Sequence, residues 1–269
     1  MLHIYIISLK QDMQKRRVIS NTLECFGLSF DFIDAIHGKE LSNNILNFAK
    51  INSRGNILRR GFSATPNEIG CTLSHLKAYK EVVDSNLNWA CILEDDAILD
   101  ERFKTFIDNF QDSRLDPKTL YLLGGQNGLD ELSVIKSRKN NMTIGGQKFT
   151  KTIKSERFIY RTCCYLVSSY LANSIIQLAE KNFTVADDWA FLVENRIINR
   201  IYISDFVDHP LDLSASHIEK ERKIKELSET SNGTYGKNSF YTRVGKFIKL
   251  RMRSILLNLY TYAESKDKR

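Results

Sequence analysis

The start of the chain alternates between short apolar runs and an amphipathic stretch, and this alternation restricts the fold more than any other feature. His3 to Ser8 is rich in β-branched and aromatic residues, which predicts a buried first strand. The stretch after it ends at Gly27 and has an apolar helical face formed by Val18, Ile19, Leu23 and Phe26. Ser29 to Ile33 predicts a second strand. Strand, helix and strand at this spacing form a βαβ unit of a parallel sheet.

The later part of the chain continues the alternation of strands and helices. Thr65, Pro66 and Glu68 occupy the N-cap, N1 and N3 positions of a capping box, which predicts a helix to about Asp84. Further strands are expected at residues 89–93, 119–123, 158–167 and 200–204, with a hairpin turn at 145–146 and a helix at 171–179. Residues 41–62 are less periodic, and we expect loops or short helices there. The predicted fold class is α/β, with a mostly parallel central sheet and flanking helices.

The length and the composition favour one domain with a tail. The chain has 269 residues, of which 42% are hydrophobic, and this is enough for a sizeable core. Only three prolines occur, and no repeat or low-complexity tract indicates a linker. We therefore expect one domain over residues 1–235 and a C-terminal extension over residues 236–269.

The cysteines and the apolar segments indicate the cellular compartment in which the protein is expected. Five cysteines lack the spacing of a metal site or a disulfide framework, which indicates a reduced protein. The apolar N-terminus has no basic region and no cleavage site, so it reads as a strand and not as a signal peptide. No uninterrupted apolar run approaches the ~20 residues of a membrane-spanning helix. We expect a cytoplasmic protein, either soluble or peripheral.

The C-terminal extension is basic. The formal net charge of +7 allows nucleic acid, anionic lipid or a phosphorylated substrate as a partner. No Asp or Glu occurs between Thr230 and Ala263, and basic and apolar residues alternate over 237–262. This pattern predicts a basic amphipathic helix. Two interpretations stay open: the helix attaches the protein to the inner membrane, or it packs on the domain with a solvated basic face.

Three adjacent carboxylates form the strongest candidate for a site. Glu94, Asp95 and Asp96 directly follow the apolar run Trp89 to Leu93. Open α/β sheets bind ligands at the carboxyl ends of their strands. Adjacent anions repel one another, and hard oxygen donors suit Mg²⁺ or Mn²⁺, which bridges the phosphates of a nucleotide. A solvated acidic turn is the alternative, but the preceding buried strand disfavours it.

Three histidines and a cysteine-serine pair are weaker candidates. Cys71 lies three residues before Ser74 and four before His75, so the three share one helix face. A histidine in such a pattern is more often a packed core residue than a functional one. His209 and His217, near the end of the predicted domain, could each complete a metal site, although each taken singly is more often structural.

A second acidic group follows Val185. One carboxylate of Asp187 and Asp188 could act as a general base, and Trp189 could stack on a sugar face. In the alternative interpretation the aspartate is only a helix N-cap and the tryptophan is core. The residues alone favour neither.

The combined motifs resemble glycosyltransferase family 25, the bacterial lipopolysaccharide and lipo-oligosaccharide galactosyltransferases. The resemblance is strongest over residues 3–100 and thins out to about residue 217. The segments that carry it are Ile6-Ile7-Ser8-Leu9 with Arg16-Arg17, Phe32-Ile33-Asp34-Ala35, Glu68-Ile69-Gly70-Cys71-Thr72-Leu73-Ser74-His75-Leu76 and Ile92-Leu93-Glu94-Asp95-Asp96. In the second half, Cys164-Tyr165 and Ala186-Asp187 resemble a Gly-Tyr and a Val-Asp pair of the family.

The resemblance implies a GT-A type fold, a UDP-sugar donor, a Mn²⁺ or Mg²⁺ ion and inversion at the anomeric carbon. Galactose is the implied sugar, and a lipopolysaccharide or lipo-oligosaccharide core sugar is the implied acceptor. The implied nucleotide-sugar site comprises Ser8, Arg16, Arg17, Asp34, Ser74, His75, Glu94 and Asp95. Asp96 is the implied leading metal ligand, and His217 resembles a family position that could add a second metal ligand. From the residues themselves we expect Asp187 or Asp188 as the base and Trp189 as the acceptor contact.

Other functions remain open from the sequence. UDP-glucose or a UDP-N-acetylhexosamine could replace UDP-galactose, since one or two contacts decide between such sugars. A metal-dependent phosphohydrolase also uses paired aspartates after a strand, but a second carboxylate cluster at two-metal spacing is missing. A nucleic-acid-binding module is suggested only by the sequence pI of about 9.1 and the basic C-terminus.

Overall fold

The N-terminal unit is a parallel βαβ arrangement, as predicted. The computed structural model describes residues 2–53, 63–128, 134–212, 216, 218–222, 252 and 255. Strand β1 (His3–Ser8), helix α1 (Met13–Cys25) and strand β2 (Asp31–Asp34) come first, and β1 pairs with β2 in parallel. Ile19 and Leu23 of α1 are buried one turn apart. Val18 was expected inward but is exposed, because the Ile19–Leu23 stripe fixes which side of the helix faces the sheet.

The next unit runs from residue 38 to the end of the third strand and leads to the acidic triplet of Glu94, Asp95 and Asp96. Helix α2 (Asn43–Asn52) lies in the region for which loops or short helices were expected, and a 3₁₀ turn (Gly38–Glu40) precedes it. Helix α3 (Pro66–Asp84) begins at the predicted capping box, with both reciprocal hydrogen bonds of Thr65 and Glu68 present. Strand β3 (Trp89–Glu94) follows and pairs with β1 in parallel. The carboxyl ends of β1 and β3 therefore meet at one edge of the sheet.

The remaining elements complete a sheet of eight described strands in the order β2-β1-β3-β7-β4-β8-β6-β5. They are α4 (Glu101–Asp108), β4 (Thr119–Gly124), β5 (Lys136–Ile144), β6 (Gln147–Thr152), a 3₁₀ turn (Glu156–Phe158), β7 (Cys164–Ser168), α5 (Ser169–Ala179), α6 (Trp189–Glu194) and β8 (Arg200–Val207). The predicted hairpin joins β5 to β6. Gly145 and Gly146 have φ values of 54° and 79°, as a two-residue turn of this kind requires.

The sheet is mixed, and the expectation of a mostly parallel sheet is corrected. Three neighbouring pairs of described strands are parallel and four are antiparallel. Strand β7 lies between β3 and β4 and runs against both. A buried apolar strand has the same sequence pattern in either direction, so the direction of β7 could not be read. As a result, the residues just before β7 lie at the sheet edge where β3 ends.

The core has two layers, one on each face of the sheet. Cys91 and Leu93 of β3 pack on the side of α1 and α4, whereas Ala90 and Ile92 pack on the side of α3, α5 and α6. Both faces of β3 are covered, which explains its continuous apolar run. Within the described residues, none of the helices combines the length and the apolar character needed to cross a bilayer.

Candidate active site

A cleft of about 350 Å³ opens at the carboxyl ends of β1 and β3. Its walls come from the loops after β1, β2 and β8, from the first half of α3, and from the segments before β7 and before α6. The ionisable side chains that line it are Asp12, Lys15, His37, Glu68, Cys71, Glu94, Asp95, Asp96, Arg161, Asp187, His209, Asp212, Glu219 and Arg222. The predicted Ser8, Ser74, Glu94, Asp95, Asp96 and Asp187 are thus brought to one place.

Asp95 is held from two sides. The Ser8 hydroxyl donates to Asp95 Oδ2 at 2.6 Å, and Lys15 Nζ lies 3.2 Å from Oδ1. Burial raises the pKa of Asp95, although Ser8 and Lys15 oppose the change. Burial likewise opposes the charge of Lys15, yet the carboxylates of Asp95 and Asp96 raise its pKa. Sequence reasoning missed Lys15, whose only signal is a basic side chain in the first turn after β1.

Asp96 belongs to a group that can hold a cation. One donor atom from each of Glu94, Asp96 and His209 lies within 4.8 Å of the others. Asp96 Oδ1 is buried and has no hydrogen-bond partner among the described residues. Burial, together with the charge of Glu94, raises the pKa of Asp96 to about 6. His209 Nδ1 lies 2.8 Å from Pro210 O and must donate to that carbonyl, which leaves Nε2 free as a ligand. These donors fit a divalent metal.

Glu94 connects this group to a buried aromatic network. The hydroxyl of Thr162 donates to Glu94 Oε1, and His75 Nε2 lies 3.4 Å from the same oxygen. His75 Nδ1 lies 2.7 Å from the Tyr165 hydroxyl, which lies 2.7 Å from that of Tyr79. Burial opposes the charged form of Glu94, but the hydrogen bonds from His75 and Thr162 hold its pKa below the ordinary value. His75 is 1% exposed and reaches the site through Glu94.

Ser74 and Gly70 tie α3 to the loop after β2. Ser74 Oγ accepts from the Ile36 amide at 2.8 Å and donates to Gly70 O at 2.7 Å. A Cβ atom on Gly70 would lie 2.4 Å from Ile36 O, so only glycine allows this approach. The motif residues Gly70 and Ser74 therefore set the cleft wall.

Arg16, Arg17 and Asp34 do not line the described cleft. Arg16 Nη2 donates to Ser8 O at 2.8 Å and to Asp34 Oδ1 at 2.6 Å, so it clamps β1 to β2 behind the site. The hydrogen bond from Arg16 lowers the pKa of Asp34. Arg17 is exposed. The contact of Arg16 or Arg17 with the donor phosphates stays a prediction, and Lys15, one residue earlier on the helix, is the basic residue of this helix that lines the described cleft.

Asp187, Asp188 and Trp189 have three different surroundings. Asp187 lines the cleft, and its Oδ2 accepts from the Arg161 amide at 3.1 Å. Asp188 caps α6 by accepting from the Phe191 amide at 3.1 Å, and its other oxygen accepts from the Thr184 hydroxyl at 3.0 Å. Trp189 is fully buried against Tyr165. The expectation of a stacking surface for the acceptor is corrected, because no face of Trp189 reaches the cleft.

Arg161 is a cleft residue that no sequence pattern indicated. Its φ of 69° lies in the left-handed region, although it is not glycine. Its guanidinium donates to Gly125 O at 2.9 Å and to Asn127 O at 2.7 Å, and its carbonyl accepts from Trp189 Nε1 at 3.3 Å. The side chain and the backbone of Arg161 are thus both fixed, and its charge interacts with the carboxylates of Glu94, Asp96 and Asp187.

Two predictions fall outside the described residues. His217 is not among them, so its role as a metal ligand stays a prediction. The basic helix predicted for 237–262 also lies outside, apart from Met252 and Ile255. In the described cleft, His209 supplies the imidazole beside Asp96, with its Nε2 3.7 Å from Asp96 Oδ2.

Comparisons with known proteins agree with the motif resemblance. A sequence model of glycosyltransferase family 25, described as LPS biosynthesis protein, matches residues 1–190. Procollagen galactosyltransferase 2 of Homo sapiens is 30% identical over 126 residues, which cover 44% of this chain and 20% of the human protein. Procollagen galactosyltransferase 1-B of Xenopus laevis is 28% identical over 130 residues, with the same coverage. A Haemophilus influenzae protein with a provisional glycosyltransferase name is 24% identical over 237 residues, or 82% of this chain and 76% of that protein.

The match to the procollagen relatives spans about a fifth of their length, whereas the family match covers more than half of this chain. The region of the family match runs from β1 past Asp187 and so includes most residues of the cleft. This finding favours the transferase hypothesis over the phosphohydrolase and the nucleic-acid-binding module. The chain belongs to glycosyltransferase family 25.

Proposed function

We propose that the protein transfers a hexose, galactose from UDP-galactose, to a core sugar of a lipopolysaccharide or lipo-oligosaccharide, with inversion at the anomeric carbon. Galactosyltransferases among the relatives support the sugar. The description of the family as an LPS biosynthesis family supports the acceptor. Inversion and the GT-A type fold rest on the motif resemblance.

One observation carries the proposal: the cleft combines carboxylates and cations as a nucleotide-sugar site requires. The carboxylates of Asp95 and Asp96 directly follow β3, the carboxylate of Asp187 lines the same cleft, and Lys15 and Arg161 bring positive charge. Fixed cations in a partly buried cleft stabilise a diphosphate more strongly than solvated ones. The proposed donor therefore lies with its diphosphate near Lys15 and Arg161.

A divalent cation, Mn²⁺ or Mg²⁺, is part of the proposal. Glu94, Asp96 and His209 would hold it, since their donor atoms converge and Asp96 Oδ1 has no partner among the described residues. When bound, such an ion neutralises the negative charge that grows on a departing diphosphate.

Asp187 is the proposed general base. It accepts the proton of the acceptor hydroxyl as that oxygen attacks the anomeric carbon and UDP leaves from the opposite face. A base in this role lies about 2.6–3.2 Å from the acceptor oxygen. The Arg161 amide holds one oxygen of Asp187, which orients the other. Asp188 is a weaker alternative, because both of its oxygens already accept hydrogen bonds.

The first experiment is a thermal-shift screen of the purified protein. UDP-galactose, UDP-glucose, UDP-N-acetylglucosamine and GDP-mannose are each added with and without Mn²⁺. We expect the largest rise in melting temperature with UDP-galactose and Mn²⁺ together, because donor and cation bind only the folded protein. A larger rise with UDP-glucose or UDP-N-acetylglucosamine would show that this nucleotide sugar, and not UDP-galactose, is the donor, and the rest of the proposal would stand. The absence of a shift with every nucleotide sugar would contradict the proposed site.

The second experiment measures transfer itself. Radiolabelled UDP-galactose is offered with lipo-oligosaccharide acceptors of stepwise truncated cores, with Asp96→Asn as the inactive control. We expect label in the acceptor only for the wild type, and only for a core that ends in the correct sugar. Labelling by the variant at the wild-type rate would contradict the assignment of Asp96.

A peripheral attachment to anionic membranes is proposed from the basic pattern of residues 237–262. A cytoplasmic enzyme whose acceptor is lipid-anchored works on a surface, and each basic side chain near anionic lipid contributes about 1 kcal/mol. Vesicles with and without anionic lipid are sedimented with the full chain and with a chain that ends before Gly236. Equal sedimentation of the two chains would reject the attachment and leave the packed-helix interpretation.

A further inference from the structure

A second set of metal-ligating side chains lies beside the acidic triplet. Cys71 and His75 are one turn apart on α3, and Glu94 ends β3. His75 Nε2 lies 3.4 Å from Glu94 Oε1, and one donor atom from each of the three residues lies within 4.8 Å of the others. The set offers sulfur, nitrogen and oxygen, whereas the group with Asp96 and His209 has no sulfur donor.

The ligands of this second set are already oriented by their neighbours. His75 Nδ1 is bonded to the Tyr165 hydroxyl, and Tyr165 is in turn bonded to Tyr79. This series of hydrogen bonds orients the imidazole so that Nε2 of His75 points toward Glu94. The Thr162 hydroxyl holds the Glu94 carboxylate. Metal-binding histidines typically have their second ring nitrogen fixed in this way, and the ligating carboxylate is itself hydrogen-bonded.

The chemistry of the ligand atoms of Cys71, His75 and Glu94 determines which ion they would prefer. Thiolate and imidazole ligands suit Zn²⁺, whereas Mg²⁺ and Mn²⁺ prefer carboxylate and other oxygen donors. Three protein ligands leave one tetrahedral position of Zn²⁺ open, and Cys71 and Glu94 both line the cleft from which an ion would enter. We propose that Cys71, His75 and Glu94 form a zinc site distinct from the group of Glu94, Asp96 and His209. Binding releases the thiol proton of Cys71 to solvent as the thiolate coordinates the ion. His75 coordinates as the neutral tautomer whose proton lies on Nδ1, where it is donated to the Tyr165 hydroxyl, so the proton that Nε2 shared with Glu94 moves to Nδ1.

Sharing of Glu94 makes zinc an inhibitor, and this consequence rests on the proposed function. A carboxylate drawn to an ion between Cys71 and His75 is no longer available to an ion at Asp96. Zinc then lowers transfer in competition with the activating cation. Excess Mn²⁺ should relieve this inhibition, whereas excess donor without added Mn²⁺ should not.

Cobalt provides a test that does not depend on activity. Co²⁺ is added to the metal-free full chain, and a thiolate-to-cobalt charge-transfer band is sought in the near-ultraviolet. We expect the band in the wild type, in Asp96→Asn and in Cys25→Ser, whose thiol is exposed and does not line the described cleft, but not in Cys71→Ser. Zn²⁺ should remove the band by displacing the cobalt. A wild type without the band, or a band that persists in Cys71→Ser, overturns the proposal.

Tyr165→Phe tests the orientation of His75 with the thiol intact. Loss of the hydroxyl removes the partner of Nδ1, and loss of such an outer contact lowers metal affinity about 10–100-fold. We expect the band to remain but to need more Co²⁺, and circular dichroism verifies that both variants are folded. An unchanged cobalt affinity would overturn the assignment of His75. If no nucleotide sugar binds but the band is present, the zinc site stands while the proposed function fails.

Discussion

At the scale of single residues, adjacent aspartates have different tasks. Asp187 faces the cleft, and Asp188 caps α6. We expect Asp187→Asn to lower kcat by about 10²–10⁴-fold, because general-base catalysis contributes that much, while the Kd for the donor changes little. Steady-state kinetics and calorimetric titration with UDP measure the two quantities. A loss of donor affinity equal to the loss of kcat would make Asp187 a binding residue.

Asp188→Ala is the matched control for Asp187→Asn. Loss of an N-cap costs about 0.5–2 kcal/mol of unfolding free energy, so we expect a lower urea midpoint and a kcat near that of the wild type. Because the Thr184 hydroxyl also loses its partner, the cost should lie in the upper part of that range. A variant of normal stability and no activity would exchange the roles of the two aspartates.

Arg161 combines an unfavourable backbone conformation with a charge that lines the cleft. Its φ of 69° is unfavourable for residues with a Cβ atom, while glycine adopts it freely. We expect Arg161→Gly and Arg161→Ala to raise the KM for the donor equally, since both lose the guanidinium. The glycine variant should be the more stable by about 1 kcal/mol. Urea unfolding of the pair measures this difference, and equal stabilities would show that the left-handed conformation is not retained in the variants.

The sequence reveals those site residues whose position follows from a strand or helix end. Glu94 ends a recognisable buried strand and Asp95 and Asp96 follow it directly, while Ser8 ends another strand, so their convergence could be predicted. Arg161 could not, because a left-handed residue before an antiparallel strand leaves no periodic signal. Trp189 shows a different limit: the residues left open whether an aromatic beside a carboxylate is a sugar platform or part of the core, and its complete burial decides for the core.

At the scale of elements, the start of α3 is fastened to the helical segment at residues 218–222. Glu68 is 2% exposed, and its Oε1 accepts from Arg222 Nε at 2.8 Å and Nη2 at 2.7 Å. Glu68 Oε2 accepts from the Thr65 amide in the capping box. We expect Arg222→Ala to cost about 1–3 kcal/mol, because a buried carboxylate loses its charged partner. Thermal unfolding of the metal-free protein measures the effect.

The double variant Glu68→Gln/Arg222→Ala separates this pair from general damage. Glutamine keeps the capping bond to Thr65 and carries no charge, so we expect part of the lost stability to return. Lys80→Ala is the control, since its ion pair with Asp84 is exposed and should contribute little. A double variant less stable than Arg222→Ala would contradict a charge-specific role for Arg222.

Strand direction is the element-level feature that the sequence did not disclose. The first three strands of the sheet were predictable because a short amphipathic helix between two apolar runs favours a parallel crossover. Strand β7 follows a hairpin and a 3₁₀ turn, and neither fixes the side from which the chain re-enters the sheet. Its antiparallel insertion is what brings Arg161 and Thr162 to Glu94 and Asp187.

At the scale of the whole molecule, the cation site opposes stability in the metal-free protein. The folded-state pKa of Asp96 is about 6, above its ordinary value of 3.8, so the folded form holds a proton that the unfolded chain releases. The resulting stabilisation is fully present below the ordinary pKa and is lost as the pH rises through about 6. Above that pH, the folded protein must hold a buried carboxylate beside Glu94 without a compensating ion.

Asp96→Asn should therefore be inactive but more stable than the metal-free wild type. We expect a gain on the order of 1–3 kcal/mol at pH 7.5 and none near pH 4, because each pKa unit corresponds to about 1.4 kcal/mol. Urea unfolding at both pH values measures the gain, with the exposed Asp205→Asn as the control that should show none. Mn²⁺ should stabilise the wild type at pH 7.5 and leave the variant unchanged, since a bound ion removes the same electrostatic cost. A variant less stable than the wild type at both pH values would mean that Asp96 is satisfied without a cation, and the metal-dependent mechanism would lose its leading ligand.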